Sequence, residues 1–163
     1  MKIIYHCYGG AHSSVTAASI HLGMLPADRV PGLKAFWEIP FYDRQEKDEH
    51  GHIFFMGLDE AGNEIYFSAC RGRPLVFQNI FKGLAGIFEI PAEEYLLVDV
   101  MKNVNWTMKL GGYLSRRCGF IRVGRPIVTL GTQAAYLQVI NLVRQVKKAI
   151  RCCGEENSIR QRQ

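Results

Sequence analysis

The sequence predicts an α/β fold: a three-layer sandwich with a mainly parallel sheet plus a β-hairpin. Three observations carry that expectation. Strand–loop–helix units recur, opening with the apolar runs Lys2–Cys7, Tyr95–Met101 and Pro126–Leu130. Two aromatic and β-branched runs flank Gly62-Asn63, the composition of a hairpin. The chain has 163 residues, 48% hydrophobic and 21% charged, enough for one domain with a real core and no disulfide or metal support.

In order along the chain, Lys2–Cys7 reads as a buried strand. A Gly-rich loop follows, and from Ser14 the Ala-rich stretch through Ile20 reads as a helix. Pro26 and Pro31 punctuate the next loop, with Pro31 suited to the first position of a short helix. The run Asp43–Glu49 is highly charged and is expected to be exposed. Ile53–Met56 and Ile65–Phe67 form the hairpin. Pro74 opens a helix in which Val76, Phe77, Ile80, Phe81, Leu84, Ile87 and Phe88 recur three or four apart, with core favoured over interface for these side chains. Tyr95–Met101 suits a buried parallel strand. Asn105 can cap a helix with Trp106, Leu110, Tyr113 and Leu114 on one face and Gly119 as its stop. Pro126–Leu130 reads as a strand feeding Gly131–Gln133 and a last helix that carries Tyr136, Val139, Ile140, Val143, Val146 and Ile150 on one stripe. Residues 1–153 are expected to be one domain and 154–163 a polar, flexible tail.

If the three strands are parallel, their C-terminal ends share one edge, where open α/β sheets bind ligands. That edge gathers Tyr8–Ser14, Lys102–Asn105 and Gly131–Gln133. No apolar stretch reaches the length of a membrane span. His6, Gly9, Gly10 and His12 interrupt any secretory core near the N-terminus, so a cytoplasmic location is expected. The five cysteines include no C-x-x-C pair, which favours free thiols and gives zinc no recognisable spacing. His50-Gly51-His52 reads as a hairpin entry rather than a metal chelate, so no metal is expected. The net charge of +5 gathers late, from Arg116 to Arg162. Without interleaved aromatics it favours a solvated helix face over nucleic-acid binding.

Cys7-Tyr8-Gly9-Gly10-Ala11-His12-Ser13-Ser14 is the candidate site, because a Gly-rich loop entering a helix presents free N–H groups and the positive end of the helix dipole. Gly9 and Gly10 would let backbone approach an anion, and Ser13 and Ser14 would donate to it. His12 would contact or protonate it, and Cys7 stands where a thiolate nucleophile would. The alternative is a tight turn with Ser13 or Ser14 as N-cap and Cys7 as a small buried hydrophobe. Asp99, a lone acid in an apolar strand, is a candidate general acid or the partner of an arginine. Thr132 and Gln133 would add a second set of amides. No residue pattern names a cofactor. Compared with a P-loop, the segment lacks the lysine and both glycines at their spacing. Its spacing resembles the low-molecular-weight tyrosine phosphatase loop, C-x-G-N-x-x-R-S. Cys7, Gly9 and Ser14 match in register, but Gly10 replaces Asn and Ser13 replaces the phosphate-binding Arg. That resemblance implies phosphoryl chemistry only if Arg71, Arg73, Arg116 or Arg125 reaches the loop.

Three ordered blocks, Ile3–Ala18, Gly111–Arg117 and Gly124–Tyr136, resemble the domain-of-unknown-function 3189 family of Gram-positive Bacillota. The resemblance implies a small cytoplasmic bacterial protein and assigns no catalytic residues. Two functions stay open on the sequence. One is binding of a phosphate-bearing or other anionic small molecule at Cys7–Ser14, with phosphoryl-transfer or hydrolase activity as its enzymatic form. The other is a non-enzymatic regulator docking an acidic partner through the basic C-terminal face.

Overall fold

In the computed structural model, which describes residues 1–46, 48–101, 106–117 and 120–160, the first apolar run forms strand β1 (Lys2–Cys7). The hairpin supplies β2 (Ile53–Leu58) and β3 (Glu64–Ala69), and the later run supplies β4 (Tyr95–Asp99). The sheet order is β2-β3-β1-β4. β1 pairs in parallel with β3 and with β4, and β2 runs antiparallel to β3.

β1 is buried on both faces, so its alternating side chains divide the molecule. Ile3, Tyr5 and Cys7 join a core with Val15, Ala18, Phe36, Tyr136, Val139 and Val143. These come from α1 (Ser13–His21), α2 (Leu33–Glu38) and α5 (Ile121–Arg160). Ile4 and His6 face the other way, under α3 (Pro74–Ile87), whose Phe77 ring centre lies 5.0 Å from that of His6. Helices on both faces of a mostly parallel sheet make the expected α/β sandwich.

Two expected elements are corrected. Pro126–Leu130 is helix, not strand, and Gly131–Gln133 is helix interior rather than a loop at the sheet edge. A β-branched run after a proline mimics a strand, but strand propensity yields to packing. Val128, Thr132, Tyr136, Val139 and Val143 are buried at spacings of three and four, which only a helix produces. The third parallel strand is β3, contributed by the hairpin. Pro31 also lies outside α2, whose N-cap is Gly32. Lys102–Asn105 and Gly119 lie outside the described residues.

α4 (Trp106–Gly112) turns its expected apolar face outward. Trp106, Leu110 and Tyr113 are exposed, while Met108, Gly111 and Ser115 are buried. Close approach to α5 selects small residues here. A Cβ on Gly111 would lie 2.3 Å from the Val128 nitrogen, and one on Gly124 would lie 2.3 Å from the Ser115 nitrogen. Both obstacles are backbone and cannot rotate away. Gly111→Ala and Gly124→Ala should therefore each destabilise the fold by about 2 kcal/mol or more, read as a lowered denaturant midpoint with unchanged slope.

Candidate functional site

The Gly-rich loop closes over the end of β1 and places the Cys7 sulfur at its floor. The Gly10 N–H donates to Cys7 Sγ at 3.2 Å, and Ser14 Oγ lies 3.2 Å from the same sulfur. Cys7 and Ser14 are both buried. Gly10 has φ +68°, and a Cβ there would fall 2.2 Å from the end of the Gln45 side-chain amide and 3.1 Å from the Ala69 nitrogen. The turn thus needs glycine both for its backbone angle and for the neighbouring strand. With its amide nitrogen facing the loop, Gln45 donates to the carbonyls of Gly9 at 2.6 Å and Gly10 at 3.0 Å.

Neither Ser13 nor Ser14 caps α1, contrary to the turn reading. The N-cap is His12, which makes no side-chain cap bond, and the Ser14 hydroxyl is turned to the thiol instead. The first N–H groups of α1 have no intrahelical acceptor. The loop therefore combines a thiol, a hydroxyl and a helix N-terminus within one tight turn.

Asp43 fixes the second side of the loop. Its side chain is fully buried, correcting the expectation that Asp43–Glu49 is exposed throughout. His12 Nε2 donates to Oδ1 at 3.0 Å, while Ser115 Oγ and Arg125 Nε donate to Oδ2 at 2.7 and 2.9 Å. The Asp43 N–H donates to the Ala11 carbonyl at 3.0 Å. Burial alone would raise the carboxyl pKa. The hydrogen bond and charge of His12, with the bonds from Ser115 and Arg125, outweigh it and bring the pKa down to about 2. Tyr42 supports the same corner: its ring packs edge-on against His12 at 5.4 Å, and its hydroxyl meets Thr132 at 3.0 Å and Thr129 at 3.4 Å.

Cys7, Gly9, Gly10, His12, Ser13 and Ser14 come together as one loop. Thr132 does not join them. It lies within α5, donates to the Val128 carbonyl and holds Tyr42, so it stands behind His12 rather than at the loop. Asp99 pairs in register with His6 and projects on the α3 face, opposite Cys7. Its Oδ1 accepts the Met101 N–H at 2.8 Å and lies 4.0 Å from His6 Nδ1. Burial pushes the His6 imidazole below its usual range, against the opposing charge of Asp99. Arg125 is bonded to Asp43, and Arg71 contacts His50 Nδ1 at 3.2 Å. Arg73 precedes α3 as its N-cap, and the Arg116 side chain lies outside the described residues.

Asp43, Gln45 and Ser115 are supports of the site that sequence reasoning missed, and Arg125, one of the four arginines it named, meets the loop through Asp43. For Asp43 the available sign was Phe41-Tyr42 immediately before the charged run, where an aromatic pair turns the chain inward. For Arg125 the sign was the stripe of the last helix. Carried back from Tyr136 at intervals of four and three, it passes Thr132, Thr129 and Arg125. Among the described residues, no group of three or more His, Cys, Asp and Glu side chains is placed to hold a metal ion, and no helix is long and apolar enough to cross a membrane.

Fold and loop together define an α/β sandwich protein with a cysteine-floored strand-to-helix loop at the C-terminal edge of its parallel strands. The chain belongs to the family described as Protein of unknown function (DUF3189), whose model matches residues 2–148. No curated protein and no solved structure matches it significantly.

Asp43 links loop and helices, so Asp43→Asn should cost about 3 kcal/mol by leaving Arg125 and His12 without their anion. The pH dependence follows the same group. Its folded pKa is depressed, so its contribution is complete above the ordinary carboxylate value of 3.8 and is lost as pH falls toward about 2. Acid unfolding in that window should lose a component of about 2 kcal/mol in Asp43→Asn relative to wild type, measured by denaturant titration at each pH.

Proposed function

We propose that the Cys7–Ser14 loop binds a phosphate-class oxyanion carried on a small molecule and presents Cys7 to it as a nucleophile. The single observation that carries this reading is the setting of the Cys7 sulfur. It accepts from the Gly10 N–H and meets the Ser14 hydroxyl, at the start of an uncapped nine-residue helix. Anions are stabilised at such helix starts by converging N–H groups and the dipole. A thiol held there is positioned for in-line attack on phosphorus.

In this reading the sulfur forms a bond to phosphorus as the bond to the leaving oxygen breaks, and the leaving oxygen takes up a proton. Water then attacks the phosphocysteine, releasing phosphate and restoring the thiol. Gly9 and Gly10 admit the oxyanion close to the backbone, and Ser13 and Ser14 add donors. Ser13 occupies the position of the arginine in the phosphatase loop. The basic side chains tied to the loop are instead His12, within it, and Arg125, joined to His12 through Asp43. The rival docking surface is partly engaged within the chain: Arg144 donates to the Ala27 carbonyl at 2.7 Å, and Lys147 lies 3.9 Å from Glu60.

Thermal unfolding in phosphate against chloride at matched ionic strength tests binding. A ligand at 100 times its dissociation constant should add about 2.7 kcal/mol to wild type, and Ser13→Ala/Ser14→Ala should abolish the shift. Hydrolysis of an aryl phosphate should vanish in Cys7→Ser while phosphate binding persists. Absence of any shift with phosphate, nucleotides or sugar phosphates would overturn the binding role. A shift without Cys7-dependent hydrolysis would leave binding and remove the nucleophile.

A further inference from the structure

We propose that the outer face of α3 is a homodimer interface, on which two copies of this chain pack helix against helix. α3 sends Phe77, Phe81 and Ala85 toward the sheet, where Phe81 meets Tyr95 with ring centres 5.0 Å apart. It leaves Leu75, Val76, Ile80, Leu84 and Ile87 exposed, with Phe88 just beyond its end, and Ile87 and Phe88 are 75% and 69% exposed. The core expectation for this helix is corrected: Phe77 and Phe81 are half-buried against the sheet, while Val76, Ile80, Leu84, Ile87 and Phe88 form an outer stripe unpaired by any described element. Between Pro74 and Ile87 the one charged residue is Lys82.

The spacing fits a second helix of the same kind. Val76, Ile80, Gly83 and Ile87 follow intervals of four, three and four, the seam of a helix pair. Gly83 has open space where a Cβ would stand, so a partner helix can come close there. At 100° per residue, Lys82 lies roughly 130° around the helix from that seam. Two copies therefore meet without opposing their lysines. An isologous dimer requires one patch that serves both copies, and this single stripe meets that requirement.

Area supports self-association. The five side chains Val76, Ile80, Leu84, Ile87 and Phe88, each exposing on the order of 100 Å², give roughly 500 Å² per chain, within the range of the largest patch on an ordinary monomer, while Leu75 lies on the Lys82 side. Paired, they bury about 1,000 Å², the least that a specific interface needs. A surface this apolar and nearly uncharged has the composition of a homodimer interface rather than of an electrostatically steered encounter site.

Sedimentation velocity of the full chain across micromolar concentrations tests the proposal. Wild type should sediment as a dimer. Ile80→Glu/Ile87→Glu should weaken association at least 100-fold with an unchanged far-UV spectrum, and Lys82→Glu, off the seam, should leave it intact. Hydrogen exchange of wild type gives a reading independent of any variant: amides of α3 should become more protected as concentration rises. A wild-type monomer throughout, or a dimer that persists in Ile80→Glu/Ile87→Glu, would overturn it.

Discussion

The buried carboxylate of Asp43 is the point from which the rest of this molecule hangs together. It sits between the loop after β1 and the helical hairpin of α4 and α5, and it accepts from both. A charge so fully removed from water is tolerated only when paired and hydrogen-bonded. Here His12, Ser115 and Arg125 together satisfy it, and its own N–H holds Ala11. The backbone accommodates this in a conformation unusual for a non-glycine residue, with φ +53° at Asp43 and +65° at Phe41. Two such residues so close together mark a segment whose path is dictated by tertiary contacts.

β1 then sets what the two sides of the sheet can do. Its alternation sends Cys7 toward α1 and His6 toward α3, so neighbouring polar residues enter separate environments. On the α3 side Gln78 approaches His6 Nε2 at 3.3 Å, and the opposite ring nitrogen is buried without a bond. A third histidine is tied on the opposite side of the sheet, at the end of α1. His21 meets the Tyr5 hydroxyl at 2.7 Å and Asp59 at 3.2 Å, joining β1, α1 and the hairpin turn. That turn is itself closed by Asp59, which accepts from the N–H groups of Ala61 and Asn63. The histidines of the first strand and helix therefore divide between sheet faces and between ends of one scaffold.

The strands and the loop were legible because their signals are local. Apolar runs, the Gly-Asn turn and the Gly-Gly-Ala-His-Ser-Ser segment each state their conformation within a few residues. The last helix was half legible. Its stripe was visible where its members are aliphatic, from Tyr136 onward, and invisible where Thr132, Thr129 and Arg125 occupy the same face. Polar residues hide helical periodicity when their hydroxyls are satisfied within the helix, as Thr129 does at the Arg125 carbonyl and Thr132 at the Val128 carbonyl. The α4 face was misread for a related reason. Contact there is made by glycines, which carry no hydrophobic signal, while the aromatic residues point outward. The supports of the loop were illegible because they lie far away in sequence and act through one buried acid.

That distance has a consequence for how the protein comes into being during synthesis. β1, the Gly-rich loop and α1 all lie within residues 1–21, ahead of every residue that braces the loop. The loop's outer wall, however, needs Asp43, and Asp43 needs a guanidinium 82 positions later. A nascent chain long enough to build the hairpin and β4 still lacks Ser115 and Arg125, the donors to Asp43 Oδ2. Contacts of such long range are the slow ones to close. The loop, although translated before its supports, is completed only when α5 folds back against it.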